Sequence, residues 1–145
     1  MSEPAVAPRP LFHWPVRVYW EDTDAGGVVY HASYLRFMER ARSEWLRGQG
    51  IAQSTFKQDT GLAFLVRSMQ LDFLKPALLD DELRVTVAVQ QRRAASILFG
   101  QSISRLDGVE LVRAQVRVAC VDVATLRPVP IPAGVFSALD ECGEP

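Results

Sequence analysis

Leu83, Val85, Val87 and Val89 alternate with Arg84, Thr86, Ala88 and Gln90. A period of two predicts a strand with one face turned to a core. Less regular runs flank it. Pro15 to Glu21 (PVRVYWE) is rich in Val and aromatics and predicts a first strand. Leu62 to Leu74 predicts another, stopped by Lys75-Pro76, and Leu79-Asp80-Asp81-Glu82 reads as a turn. After a break at Arg92 to Ala95, Ser96 to Arg105 and Glu110 to Val123 predict two more strands, joined by a hairpin turn at Leu106-Asp107-Gly108. Pro128, Pro130 and Pro132 close the sheet region.

Between the first two strands the period becomes helical. From about His31, residues Tyr34, Phe37, Met38, Ala41 and Trp45 fall on one face, widened by Leu35 and Leu46. Arg36, Arg40, Ser43 and Arg47 fall on the other, and Gly48 and Gly50 end the helix. Ile51 to Gly61 is polar and mixed, a short helix closed by Gly61; Val135 to Leu139 reads as a short terminal helix. The order predicts an α+β domain, an antiparallel sheet curled over one long helix. Such a sheet has an edge to cover, so a homo-oligomer is expected. No repeat or linker divides the chain. Residues 1–10 read as a loose arm, 11–140 as one domain and 141–145 as a tail.

Composition narrows the partners. The chain has 145 residues, 48% apolar and 23% charged, the balance of one globular domain with a proper core. A net charge of −1 gives no electrostatic case for nucleic acid or an anionic membrane. No apolar stretch is long enough for an integral membrane segment, and the first residues lack the charged head and apolar core of a secretory signal. Cys120 in an apolar run and Cys142 in the tail read as free thiols in a reducing compartment. The expected location is cytoplasmic.

Candidate chemistry concentrates in Glu21 to Arg42, EDTDAGGVVYHASYLRFMERAR. Asp24 lies in a Gly-Gly loop that runs into the long helix. A helix start collects unpaired N–H groups and partial positive charge. A carboxylate beside it can attack a carbonyl, or aim water at it, while the amides hold the carbonyl oxygen. The competing reading is that Asp24 only caps the helix or shapes a turn. Glu21, Asp22, Asp24 and His31 also invite a metal, but their spacing fits no calcium loop or zinc motif, and no metal is expected.

The run from Arg17 to Arg42, D-x-D-x-x-G-x-V followed by Y-x-x-F-x-E-x-A-R, resembles the hotdog-fold acyl-CoA thioesterases of the 4-hydroxybenzoyl-CoA thioesterase type. EDTDAGGVVYHASY is most similar to their YbgC branch, which is associated with the Tol-Pal envelope system. The resemblance implies an acyl-CoA substrate, no metal or bound cofactor, and a homodimer or homotetramer with active sites at the dimer interface. It also admits an acyl carrier protein or Tol-Pal association as a partner.

Carried onto this chain, the resemblance makes Asp24 the catalytic carboxylate, as general base or nucleophile, and a backbone amide near His31 the carbonyl-polarising donor. The His31 side chain is either catalytic or a helix-start and cavity-wall group. Gly26 and Gly27 let backbone and thioester approach. Tyr30 and Tyr34 line the acyl cavity, although Tyr34 also lies on the core face. Asp22 supports the loop. Arg92, Arg93 and Ser96 lie where related enzymes bind the CoA nucleotide, with Arg67 a weaker candidate; arginine suits phosphate by geometry and permanent charge. Glu39 and Arg42 match E-x-A-R and are expected in an ion pair or an interface contact. Two other functions stay open: a hotdog dehydratase, whose second acid or base is not found here, and a non-enzymatic protein binding an acyl carrier or envelope partner.

Overall fold

The strand with the cleanest alternation buries one side over most of its length, with Val89 partly buried. Leu83, Val85 and Val87 are sealed in the core, while Glu82, Arg84 and Gln90 face outward. A computed structural model describes residues 11–133 and 135. Its elements are β1 (Phe12–Arg17), α1 (Ser33–Gly48), α2 (Gln53–Thr60), β2 (Leu62–Phe73), β3 (Glu82–Arg92), β4 (Ser96–Arg105) and β5 (Glu110–Asp122). The five strands form one antiparallel sheet in the order β1-β3-β4-β5-β2. This is the α+β hotdog arrangement that the resemblance implies. Residues 1–10, 134 and 136–145, which include the expected arm, the tail with Cys142 and most of the terminal helix, lie outside the described residues.

The helix lies on the inner face of the sheet. Tyr34, Phe37, Met38, Ala41, Trp45 and Leu46 are buried against Val85, Val87, Phe99, Ile103 and Val116, and the Trp45 and Phe99 rings meet edge to face at 5.4 Å. Full burial of each large apolar side chain contributes about 1.5–3 kcal/mol, so this packing fixes the position of α1. The short helix α2 ends as expected on Gly61, whose φ of 74° is costly for other residues.

Two differences from the sequence reading bear on the site. The first strand covers Phe12–Arg17 rather than Pro15 to Glu21, and Trp20–Asp22 form a 3-10 turn. Asp22 imposes that turn: its Oδ2 accepts the Tyr19 amide at 2.8 Å. The helix starts at Ser33, two residues beyond His31, because Tyr30 to Ala32 form a preceding turn closed by the Ser33 amide on the Tyr30 carbonyl.

The sheet has two edges, β1 and β2. The β2 side is unusually apolar for an edge, with Leu65 45%, Val66 48% and Phe73 54% exposed. Between Val66 and Ser68 its register shifts, so Arg67 stands at a bulge.

Candidate active site

The segment from Asp22 to Ser33 is tied together by its own main chain. The Asp22 carbonyl accepts the Tyr30 amide at 2.8 Å and the Ser33 hydroxyl at 3.2 Å. Val29 donates its amide to Ala77 at 2.9 Å, and Thr23 bridges to Val29. Asp22 is buried, and Arg36 lies 3.7 Å from its second carboxylate oxygen. The expected supporting role of Asp22 thus has a definite form: it joins the 3-10 turn, the loop and the first turn of α1.

Asp24 is two residues further on and exposed in the protomer. Its amide donates to the Val28 carbonyl at 3.0 Å, and its carbonyl accepts the Gly27 amide at 2.9 Å. Its Oδ1 accepts the Gly26 amide at 2.8 Å, an Asx-type turn that sets the side chain's direction. One oxygen is therefore held while the carboxylate has a second to offer. The glycines have distinct reasons. A Cβ at residue 26 would stand 3.1 Å from Asp24 Oδ1, and Gly27 adopts a φ of +81°.

The start of α1 is bare. Its N-cap, Ala32, makes no side-chain capping bond, and no acidic residue occupies the first turn. The amides of Tyr30, Ser33 and Leu35 are engaged by main-chain carbonyls; those of His31 and Ala32 enter none of these bonds. A helix start left uncapped carries partial positive charge and donors suited to an anionic oxygen.

Aromatic rings border this point. His31 is exposed; its ring lies 4.5 Å from the Tyr30 ring and 6.4 Å from Phe73, and Phe73 lies 5.9 Å from Tyr34. Tyr34 is buried and its hydroxyl accepts the Ala77 amide at 3.0 Å; burial raises its pKa from the ordinary tyrosine value, opposed by that hydrogen bond. Sequence reasoning passed over Phe73, which reads as an ordinary strand residue. Only the end of β2 lying against the helix start makes it a wall.

The arginines gather elsewhere. Arg92 ends β3, and Arg93 donates its amide to the Ser96 carbonyl at 2.8 Å. Ser96 is buried, and its hydroxyl accepts from Arg117 at 3.2 Å; Arg117 also donates to Gln91 at 2.8 Å. The Arg117 pKa is lowered by desolvation, then by the positive charges of Arg93 and Arg67. Arg117, bonded to Ser96, therefore feels the positive charge of both Arg93 and Arg67, and an anion there would offset it. Arg117 was missed in the sequence because no local motif marks it; it stands in β5 opposite Leu98 of β4 and Ser68 of β2. Arg42 forms no ion pair among the described residues; it donates to Gln101 at 2.9 Å. Glu39 accepts instead from Ser43 at 2.7 Å. No cluster of three or more metal-ligating side chains occurs among the described residues, and no helix there is long and apolar enough to cross a membrane.

Comparison with known proteins agrees on one family. The family model described as the thioesterase-like superfamily matches residues 18–139. The chain is 48% identical to the acyl-CoA thioesterase YbgC of Haemophilus influenzae, over 88% of this chain and 93% of that protein. It is 45% identical to the acyl-CoA thioester hydrolase YbgC of Escherichia coli, over 88% of this chain and 94% of the other. The crystal structure of a probable thioesterase from Bartonella henselae, 34% identical, superposes with a TM-score of 0.79 over 85% of this chain and 100% of that one.

Proposed function

The chain belongs to the thioesterase-like superfamily, and on that premise we propose that it hydrolyses acyl-CoA thioesters to the free acid and CoA. The observation that carries this reading is the uncapped start of α1, with the His31 and Ala32 amides outside the main-chain network, at the end of the loop that holds Asp24.

In the proposed step those amides hold the thioester carbonyl oxygen and stabilise the oxyanion as it forms. Asp24 takes a proton from water as the water oxygen adds to the carbonyl carbon, or its carboxylate adds directly. The tetrahedral intermediate then expels the CoA thiolate, a good leaving group, so nucleophile and oxyanion site carry most of the chemistry. In the base route the product acid is released at once; in the nucleophile route water opens an acyl–Asp24 anhydride. His31 stands beside the reacting carbonyl, where its imidazole positions the water. Tyr30, Phe73 and the Gly26-Gly27 loop border the thioester. The Arg67, Arg92, Arg93 and Arg117 group, with Ser96, takes the phosphates of the CoA nucleotide. No cofactor is required.

The apolar edge of β2 supports pairing with a second copy along that strand, giving a homodimer. Such pairing brings a neighbouring surface against the exposed Phe73 and so encloses the site.

An acyl-CoA panel assayed by thiol release, with Asp24→Asn as control, tests the proposal. Turnover abolished by that substitution supports it. Turnover unchanged in the variant removes Asp24 from the mechanism, and no turnover with any acyl-CoA favours a binding protein.

A further inference from the structure

The least expected charge in the molecule is Arg42. It lies on the core side of α1 and is only 7% exposed. A guanidinium carries five N–H donors. Its one hydrogen bond among the described residues goes to the neutral Gln101, whose own amide is fixed by the Met38 and Thr86 carbonyls at 3.2 and 3.3 Å. Burial lowers the Arg42 pKa from the usual arginine value, opposed by the nearby charge of Glu39. A buried charge is normally paired, because leaving it unpaired costs several kcal/mol.

Arg42 also lines a cavity of about 120 Å³ between α1 and β2. Leu46, Phe64, Val66, Phe99 and Val118 form its apolar lining, and Glu39, Ser43 and Gln53 line it beside Arg42. Glu39 and Ser43 bond to each other. The cavity would hold about four waters' worth of liquid volume, room for a carboxylate and a few methylenes. It lies along the same helix as the site described above. Arg42 lies nine positions beyond Ser33, about 14 Å of helix rise.

We propose that Arg42 binds a carboxylate at the far end of the acyl group, so that the substrates are acyl-CoAs derived from dicarboxylic acids. The apolar walls take the methylenes, and the planar guanidinium, already oriented by Gln101, offers its remaining donors to both carboxylate oxygens. The assignment rests on the hydrolase reading for its substrate, but the binding event does not need turnover.

Two measurements keep the two readings apart. Matched pairs of substrates long enough to run from the helix start to Arg42, sebacyl-CoA against decanoyl-CoA and dodecanedioyl-CoA against dodecanoyl-CoA, are compared by thiol release. The parent is expected to favour the carboxyl-ended member by about tenfold or more in kcat/KM, and Arg42→Gln to remove that preference. Gln101→Glu provides the guanidinium with an internal carboxylate and decides the question if Arg42→Gln does not fold; it too should erase the preference. Separately, calorimetric titration of Asp24→Asn with free sebacate and dodecanedioate reads the carboxylate site without catalysis. Binding lost on adding Arg42→Gln or Gln101→Glu supports the proposal even if the chain hydrolyses nothing. Equal kcat/KM within the matched pairs, a preference that survives both substitutions, or no dicarboxylate binding would overturn it. Those results would leave the donors of Arg42 to a second copy of this chain.

Discussion

Asp22 and Asp24 stand two positions apart in one loop, in opposite surroundings. Asp22 is buried, and its carboxylate and carbonyl serve the Tyr19, Tyr30 and Ser33 donors. Asp24 is exposed and holds a single amide, that of Gly26, with one oxygen. The first half of the loop is scaffold; the second half is held in shape by that scaffold but keeps its own charge available. The two halves should therefore fail differently.

The largest effect falls on Asp24. Asp24→Asn keeps shape and removes charge, and we expect hydrolysis to fall by roughly 100-fold to 10,000-fold with the melting temperature unchanged. A near-parental rate would break the contrast at its centre. His31→Ala is expected to cost about tenfold and to alter the pH–rate profile of the parent. An unchanged profile and rate would confine His31 to its main-chain amide.

Asp22→Ala should do the reverse. It strips the Tyr19 amide of its acceptor and Arg36 of its buried partner charge. The expected loss is about 1–3 kcal/mol of stability, a fall of several degrees in Tm, with a smaller effect on kcat per folded molecule. A loss of rate as deep as that of Asp24→Asn, in a variant that stays folded, would erase the distinction between scaffold and working carboxylate.

How much of this contrast the sequence carried depends on the kind of interaction. The strands were legible where burial is one-sided: β4 runs from Ser96 to Arg105 as its pattern predicts. The core face of α1 was equally plain. PVRVYWE misled because Tyr19 and Trp20 look like strand residues yet are 61% and 80% exposed. The turn they occupy is made by one side-chain acceptor, which periodicity does not register. Arg117 and Phe73 were hidden for another reason. Each becomes part of a site only through the pairing of β5 with β4 and β2, or the packing of β2 on the helix start. Such neighbours are distant in sequence, and no local motif marks them.

A smaller effect separates the helix start from the arginine group. Arg93→Ala and Arg117→Met should each raise KM for acyl-CoA by about threefold to tenfold, with kcat nearly constant and the difference shrinking as salt is added. Ser96 offers only a hydroxyl there, so the charges carry the binding. Equal KM values in parent and variants would move the nucleotide to another surface.

The smallest effect tests the scaffold through pH. Tyr34 is part of the fixed side of the contrast: buried, with its hydroxyl accepting the Ala77 amide. Burial raises its folded-state pKa above that of the unfolded chain. The folded protein therefore holds this proton more tightly, so its contribution is complete below the ordinary tyrosine pKa of about 10 and is lost as pH rises through the folded value. Stability measured by denaturant unfolding should fall above about pH 10, and Tyr34→Phe should lessen that fall. The same substitution removes an acceptor from Ala77, so it should lower stability at neutral pH by about 1 kcal/mol. Asp24→Asn should leave the alkaline limb untouched. An alkaline loss of the same size in Tyr34→Phe would show that another group titrates there, and that the helix start is less firmly built than its hydrogen bonds indicate.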